Sequence, residues 1–154
     1  MRRIVLYMQQ TLDGQGADPA NTMEWATVSR ETWDFVDEIT ATCDTTVIGR
    51  RLYEEFLGVW PEAATSDAAS PGMRKLARWL RDHDKLVLTR TLDAPDPAWA
   101  NTTFVRDLDE LRAHRDGDGR ALLAAPLDLR LLEARPLESG VVVLHYAVEH
   151  EEAR

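Results

Sequence analysis

Asp44-Thr45-Thr46-Val47-Ile48-Gly49-Arg50-Arg51-Leu52-Tyr53-Glu54 is the stretch that decides how this chain is read. Thr45 to Ile48 are all β-branched, stiff at their first side-chain torsion and suited to a buried strand. Gly49 ends the strand, and Arg50 to Leu57 suits a short helix. A glycine behind a buried strand lets the backbone approach a ligand closely. The helix that follows offers free N–H groups and a positive dipole end to an anion, and Arg50 and Arg51 add forked donors. The same arginines could instead be solvated or paired with Glu54 and Glu55, where surface ion pairs contribute little.

Working outward, residues 3–8 form an uninterrupted apolar stretch, as expected of a strand covered on both faces. Leu12-Asp13-Gly14-Gln15-Gly16-Ala17-Asp18-Pro19 reads as a polar loop. A helix opens at Ser29, its N-cap, with Val36, Ile39 and Cys43 at helical spacing. On the other side, residues 61–70 read as a loop. Ser70-Pro71 caps a further helix whose buried stripe is Met73, Leu76, Ala77 and Leu80. Lys85–Thr89 and Thr102–Val105 read as two more strands. Asp107 with Glu110 forms a capping box for a helix reaching about His114. Leu129–Arg135 and Val141–Val148, joined by Leu137-Glu138-Ser139-Gly140, read as an antiparallel hairpin. Strands alternating with helices predict one α/β domain over residues 1–154, with a mixed, mostly parallel sheet flanked by helices.

The 154 residues are ample for a hydrophobic core, and 44% hydrophobic with 29% charged residues is ordinary globular composition. A formal charge of −9 argues against a nucleic-acid surface and requires any anionic ligand to find a local basic pocket. Cys43 is the only cysteine, which excludes an intrachain disulfide and a cysteine zinc cage. The apolar run after Arg2-Arg3 stops at Gln9-Gln10, too short for an export signal or a membrane span, so a cytoplasmic protein is expected.

Four segments, in order, resemble the dihydrofolate-reductase-like family that includes the riboflavin-pathway reductase, the RibD C-terminal domain. Ile4 to Gly14 is similar to that family's first strand and its Leu-Asp-Gly entry to the active-site loop. Asp44 to Glu54 is similar to its strand–Gly–Arg–helix block. Lys85 to Leu92 with Trp99 to Thr103 is similar to its next strand and connection, and Pro126 to Val148 to its closing hairpin. The resemblance implies a fold built around NADPH that passes hydride to a flat heterocyclic or ribityl-type small-molecule substrate. It implies cofactor contacts at Gly49, Arg50, Arg51, Thr89 and Arg90, with residues 3–8 in one sheet with the strands around Val47 and Val87. Family members are often dimers, so a homodimer is a further expectation.

Two departures bear on activity. Leu52 stands where the family usually has Thr, which removes one hydroxyl donor to phosphate, worth about 1 kcal/mol. After residue 114 the family runs strand, paired glycines, helix and a further glycine-rich strand, whereas only Arg115 to Ala125 precede the hairpin. One or two central elements are therefore missing. Gly117-x-Gly119 could imitate the glycine pair, but Asp116 and Asp118 would repel phosphate, and a polar turn is the simpler role. Residues 120–125 are either a substitute strand beside residues 3–8 or a remnant of the lost helix. The second repair would leave an open edge for a partner chain.

Other chemistry is sparse. His83, His114, His145 and His150 show no metal-ligand spacing, and no Ser or Cys nucleophile motif is present. Asp13 with Gly14 either orients substrate or nicotinamide, or simply fixes a turn. Asp34 and Asp37 lie roughly where dihydrofolate reductase holds its pterin-binding acid, though a solvated helix face is the simpler reading. Among Trp25, Trp33, Trp60, Trp79 and Trp99 a stacking partner for a flat substrate is conceivable; Trp33 and Trp79 read more simply as packing residues. The two function classes carried forward are an NADPH-dependent reductase and a non-catalytic relative that has lost the cofactor.

Overall fold

A computed structural model of the chain describes residues 5–19, 26, 28–114 and 129–148. Within these, one compact unit runs from residue 33 to 114, and a second combines residues up to 32 with the hairpin.

The first unit is an α/β layer. Its sheet has three parallel strands in the order β1 (Thr45–Gly49), β2 (Asp84–Leu88), β3 (Thr102–Val105). Parallel neighbours need long crossovers, and helices supply the first: α2 (Arg50–Leu57), α3 (Trp60–Ala63) and α4 (Pro71–Asp82) follow β1, with α1 (Arg30–Thr40) ahead of it. As the central strand, β2 carries the deepest side chains, with Leu86 and Val87 buried. Strand β1 lies at the edge, so Ile48 is buried while Val47 is half exposed, against the expectation of a strand buried throughout.

Local chemistry explains the helix boundaries. The Thr32 amide donates to Ser29 Oγ at 3.2 Å, which satisfies an N–H at the start of α1. Ser70 caps α4 through the Met73 amide at 3.2 Å, with Pro71 in the first turn where its missing N–H is harmless. Ala77 and Leu80 of the expected stripe are buried. Within the expected loop 61–70, Pro61 and Glu62 lie in the short helix α3, and Ala63 and Ala64 pack on Ala77. Small side chains there let the turn sit close to α4, while Arg74 and Arg78 donate to the carbonyls of Ser66 and Ala64. Asp107 Oδ1 accepts the amides of Asp109 and Glu110, opening α5 (Leu108–Ala113) as one half of the expected capping box; the Glu110 carboxylate accepts the Arg106 amide, one residue before the cap, in place of the Asp107 amide.

The main core joins Ile48, Tyr53, Leu80, Val87 and Trp99. Tyr53 meets Phe104 edge-on at 5.7 Å, and its hydroxyl accepts the Asp96 amide at 2.9 Å, so its polar end is satisfied where it is buried. At the amino-terminal end of β2, Lys85 is fully buried. Its ammonium donates to the Leu80 carbonyl, to the His83 carbonyl at 2.8 Å and to Asn101 Oδ1 at 2.7 Å, and lies 5.1 Å from the centre of the Trp99 ring. Burial depresses its pKa to about 8. Trp79 stacks on His83, and Trp33 packs over Gly72, where a Cβ would overlap the indole.

The second unit contains the hairpin β4 (Leu129–Pro136) and β5 (Val142–Val148), antiparallel, with a register shift between Leu131 and Glu133. Gly140, at φ +84°, closes the turn in a backbone region that side chains disfavour. The pairing puts Leu129, Leu131, Ala134, Pro136, Val142, Leu144 and Tyr146 on one face, and Arg130, Glu133, Arg135, Val143, His145 and Ala147 on the other.

The expected first strand requires correction. Residues 5–8 form no strand and enter no ladder among the described residues, and Leu6 is 72% exposed. An apolar run reports a liking for burial; it does not supply hydrogen-bonding neighbours, and among the described residues the sheet pairs three strands without this segment. Residues 3 and 4, the 115–126 region and the choice of strand or helix for 120–125 lie outside the described residues.

Candidate anion-binding cleft at the strand ends

The register of the sheet builds the site. Gly49 pairs with Leu88, and Leu88 with Val105, so the carboxyl ends of β1, β2 and β3 stand level in a row. Each strand is followed within two residues by an arginine: Arg50, Arg90 and Arg106. With neighbouring strands roughly 4.8 Å apart, these residues leave the sheet across a front of about 10 Å. They line an open cleft of about 490 Å³ together with Leu88, Thr89, Thr91, Asp107 and Leu108. The crevice beyond the carboxyl ends of parallel strands is where open α/β sheets bind ligands.

The three guanidinium groups differ in how far they are engaged. Arg50 donates to Glu54 Oε2 at 2.6 Å, one helical turn on, so the pairing expected for a solvated arginine is present even though Arg50 lines the cleft. Arg106 Nη1 donates to the Thr89 carbonyl at 3.2 Å and the Leu92 carbonyl at 2.8 Å. Arg90 makes no hydrogen bond or ion pair with any described residue, and it is exposed. Among the described residues, Asp107 is the one acid on the lining, with its Oδ1 already accepting two amides.

Of the residues expected at this site, Arg50, Thr89 and Arg90 are brought together. Thr89 is buried, and its hydroxyl accepts the amides of Thr91 and Leu92, both at 3.2 Å; it shapes the turn that carries Arg90. Arg51 is exposed and is not on the cleft lining. Gly49 precedes α2 with an ordinary φ of −84°, and a Cβ there would meet no atom within 4 Å. No described residue therefore demands glycine at this position. Lacking a side chain, it also leaves the first N–H groups of α2 without a side-chain cap. Arg106 escaped the sequence reading. The signal available was its place directly after the last residue of β3, equivalent to Arg50 after β1.

Asp13 and Gly14 belong to the other unit. Gly14 has φ +84°, and the Asp13 carboxylate accepts the Thr11 hydroxyl while the Gly14 amide donates to the Thr11 carbonyl at 3.0 Å. The turn-fixing role is met locally. Asp37 pairs with Lys75 at 2.6 Å. Among the described residues no tryptophan lines the cleft; Trp25 lies outside them. Among the described residues, no three His, Cys, Asp or Glu side chains converge as a metal site, and no helix is long and apolar enough to cross a membrane.

A phosphorylated cofactor suits this lining. Guanidinium groups on three adjacent strand ends, uncapped amides at the start of α2 and a volume within the usual range for small-molecule sites are the donor set such an anion needs. The sequence matches no curated protein. The model of the family described as the RibD C-terminal domain matches residues 2–115, which include every residue of the cleft, and the chain belongs to that family of riboflavin-biosynthesis reductase-like domains.

Proposed function

We propose that the protein is an NADPH-dependent reductase acting on a small heterocyclic or ribityl-type substrate. The observation that carries this reading is the convergence of Arg50, Arg90 and Arg106 at the level carboxyl ends of three parallel strands, in a chain whose net charge is −9. Membership of a typically NADPH-linked family supports it. Arg90 and Arg106 hold the phosphate groups by charge-assisted hydrogen bonds, and the amides opening α2 add neutral donors. Bound NADPH supplies the hydride; the chain's own part is to position the reactants and exclude water.

Titrating protein into NADPH while following nicotinamide fluorescence tests this directly. Saturable binding is expected, weakened at least about tenfold when Arg50 and Arg90 are both replaced by Ala, the equivalent of one strong hydrogen-bonded contact. No saturation at any soluble protein concentration would remove the reductase.

A second reading is a non-catalytic relative with no cofactor affinity. The Arg50–Glu54 pair favours it, because phosphate would have to compete with a carboxylate already at 2.6 Å, and Leu52 supplies no hydroxyl. The two readings part on the same titration.

A further inference from the structure

We propose that Arg106 is the positioning residue of the cleft: by holding the carbonyls of Thr89 and Leu92, it sets the turn that presents Arg90 to a bound phosphate group. The inference rests on the anion-binding reading above and adds to it a second role for Arg106.

Residues 89–92 are tied at two points. From inside, the Thr89 hydroxyl accepts the amides of Thr91 and Leu92 at 3.2 Å each. From outside, Arg106 Nη1 bridges the Thr89 and Leu92 carbonyls at 3.2 and 2.8 Å, joining the first and last residues of the turn. The turn is fastened to the sheet at its start, where the Thr89 amide donates to the Val105 carbonyl at 3.0 Å. Arg90 itself has no partner among the described residues, so where its guanidinium sits follows from the turn beneath it.

Arg106 is well placed to impose that geometry. Its own amide donates to Glu110 Oε2 at 2.6 Å, and it directly follows β3. Only Nη1 is engaged; Nε and Nη2 have no partner among the described residues, and the side chain lines the cleft. A planar fork can hold two carbonyls with one nitrogen and keep its remaining donors for a ligand. A lysine ammonium concentrates all its donors on one atom, so moving toward the carbonyls withdraws it from the cleft.

Two measurements on Arg106→Ala and Arg106→Lys test this. Amide hydrogen exchange at Thr91 and Leu92, without ligand, reads the clamp; NADPH titration at low and high salt reads its effect. Exchange roughly tenfold faster is expected in both variants, with NADPH affinity lowered by about the same factor in Arg106→Lys and further in Arg106→Ala, which also loses the charge. Arg106→Lys retains the wild-type salt dependence because its charge is kept, whereas Arg106→Ala shows a shallower one. Arg81→Ala, whose side chain pairs with Asp82 on α4, behaves as wild type in both. Unchanged exchange in Arg106→Ala, or full affinity in Arg106→Lys, overturns the proposal. If wild-type protein binds no NADPH, the reductase reading falls, and exchange at Thr91 and Leu92 still decides the clamp by itself.

Discussion

Lys85 and Arg106 show what single residues do here beyond their type. Both are cations that donate to backbone carbonyls, Lys85 to the Asn101 side chain as well, and neither role is visible in composition or periodicity, because both depend on which acceptors the folded backbone turns toward them. The placement of Arg50, Thr89 and Arg90 at neighbouring strand ends was legible because each follows a recognisable β-branched or aliphatic run; the buried role of the Thr89 hydroxyl was not. Lys85 yields a prediction at this scale. Replacing it with Met strips the donor from three acceptors around a buried site, and about 3 kcal/mol of destabilisation is expected. The effect depends on pH in a definite direction. The folded pKa of about 8 lies below the ordinary 10.5, so between these values the unfolded chain holds a proton that the folded chain has released. This group therefore makes the fold gain stability as pH rises through that window. Thermal melts from about pH 8 to about pH 10 should show wild type gaining on Lys85→Met. Parallel curves would remove the assignment of a buried charge.

At the scale of elements, strong local signals and the structure agree. Ser70-Pro71 opens α4, Asp107 and Glu110 open α5, and the β-branched run 45–48 is β1. Short α3 was hidden because four residues carry too little periodicity to stand out from a loop. The run at 5–8 failed for another reason: a strand is a relation between two segments, and hydrophobicity describes only one of them. Packing between α1 and α4 rests on Gly72 beneath Trp33, which gives the prediction for this scale. Alanine is the better helix former by about 1 kcal/mol. A Cβ at position 72, however, overlaps the root of the indole, which cannot swing aside without leaving its site, and overpacking of this kind costs about 1–3 kcal/mol. Gly72→Ala should therefore lower the urea midpoint; a rise would mean that the indole relocates freely.

For the whole molecule, the charge of −9 and the two-faced hairpin act together. One hairpin face is apolar from Leu129 to Tyr146, with Leu131 and Leu144 half exposed, and it is free of charge. Two acidic chains meet with least repulsion on such a face. Light scattering over a concentration series should approach twice the 17.4 kDa of a single chain, and Leu131→Asp with Leu144→Asp should return the single-chain mass. A single-chain mass at every concentration would exclude self-association through this face. The α/β class and the closing hairpin could be read from the sequence; the grouping into two units could not, since it depends on which segments pack together.

The level row of Gly49, Leu88 and Val105 has a consequence for how the protein tolerates change. Lengthening the connection at residues 93–98 should leave all three cations in place, because none takes its position from that loop. Deleting one residue inside β2 should instead shift Arg90 by about 3.3 Å and turn it to the opposite side of the sheet. The connection is thus expected to accept insertions that the strands do not, since strand length alone sets where the three cations stand.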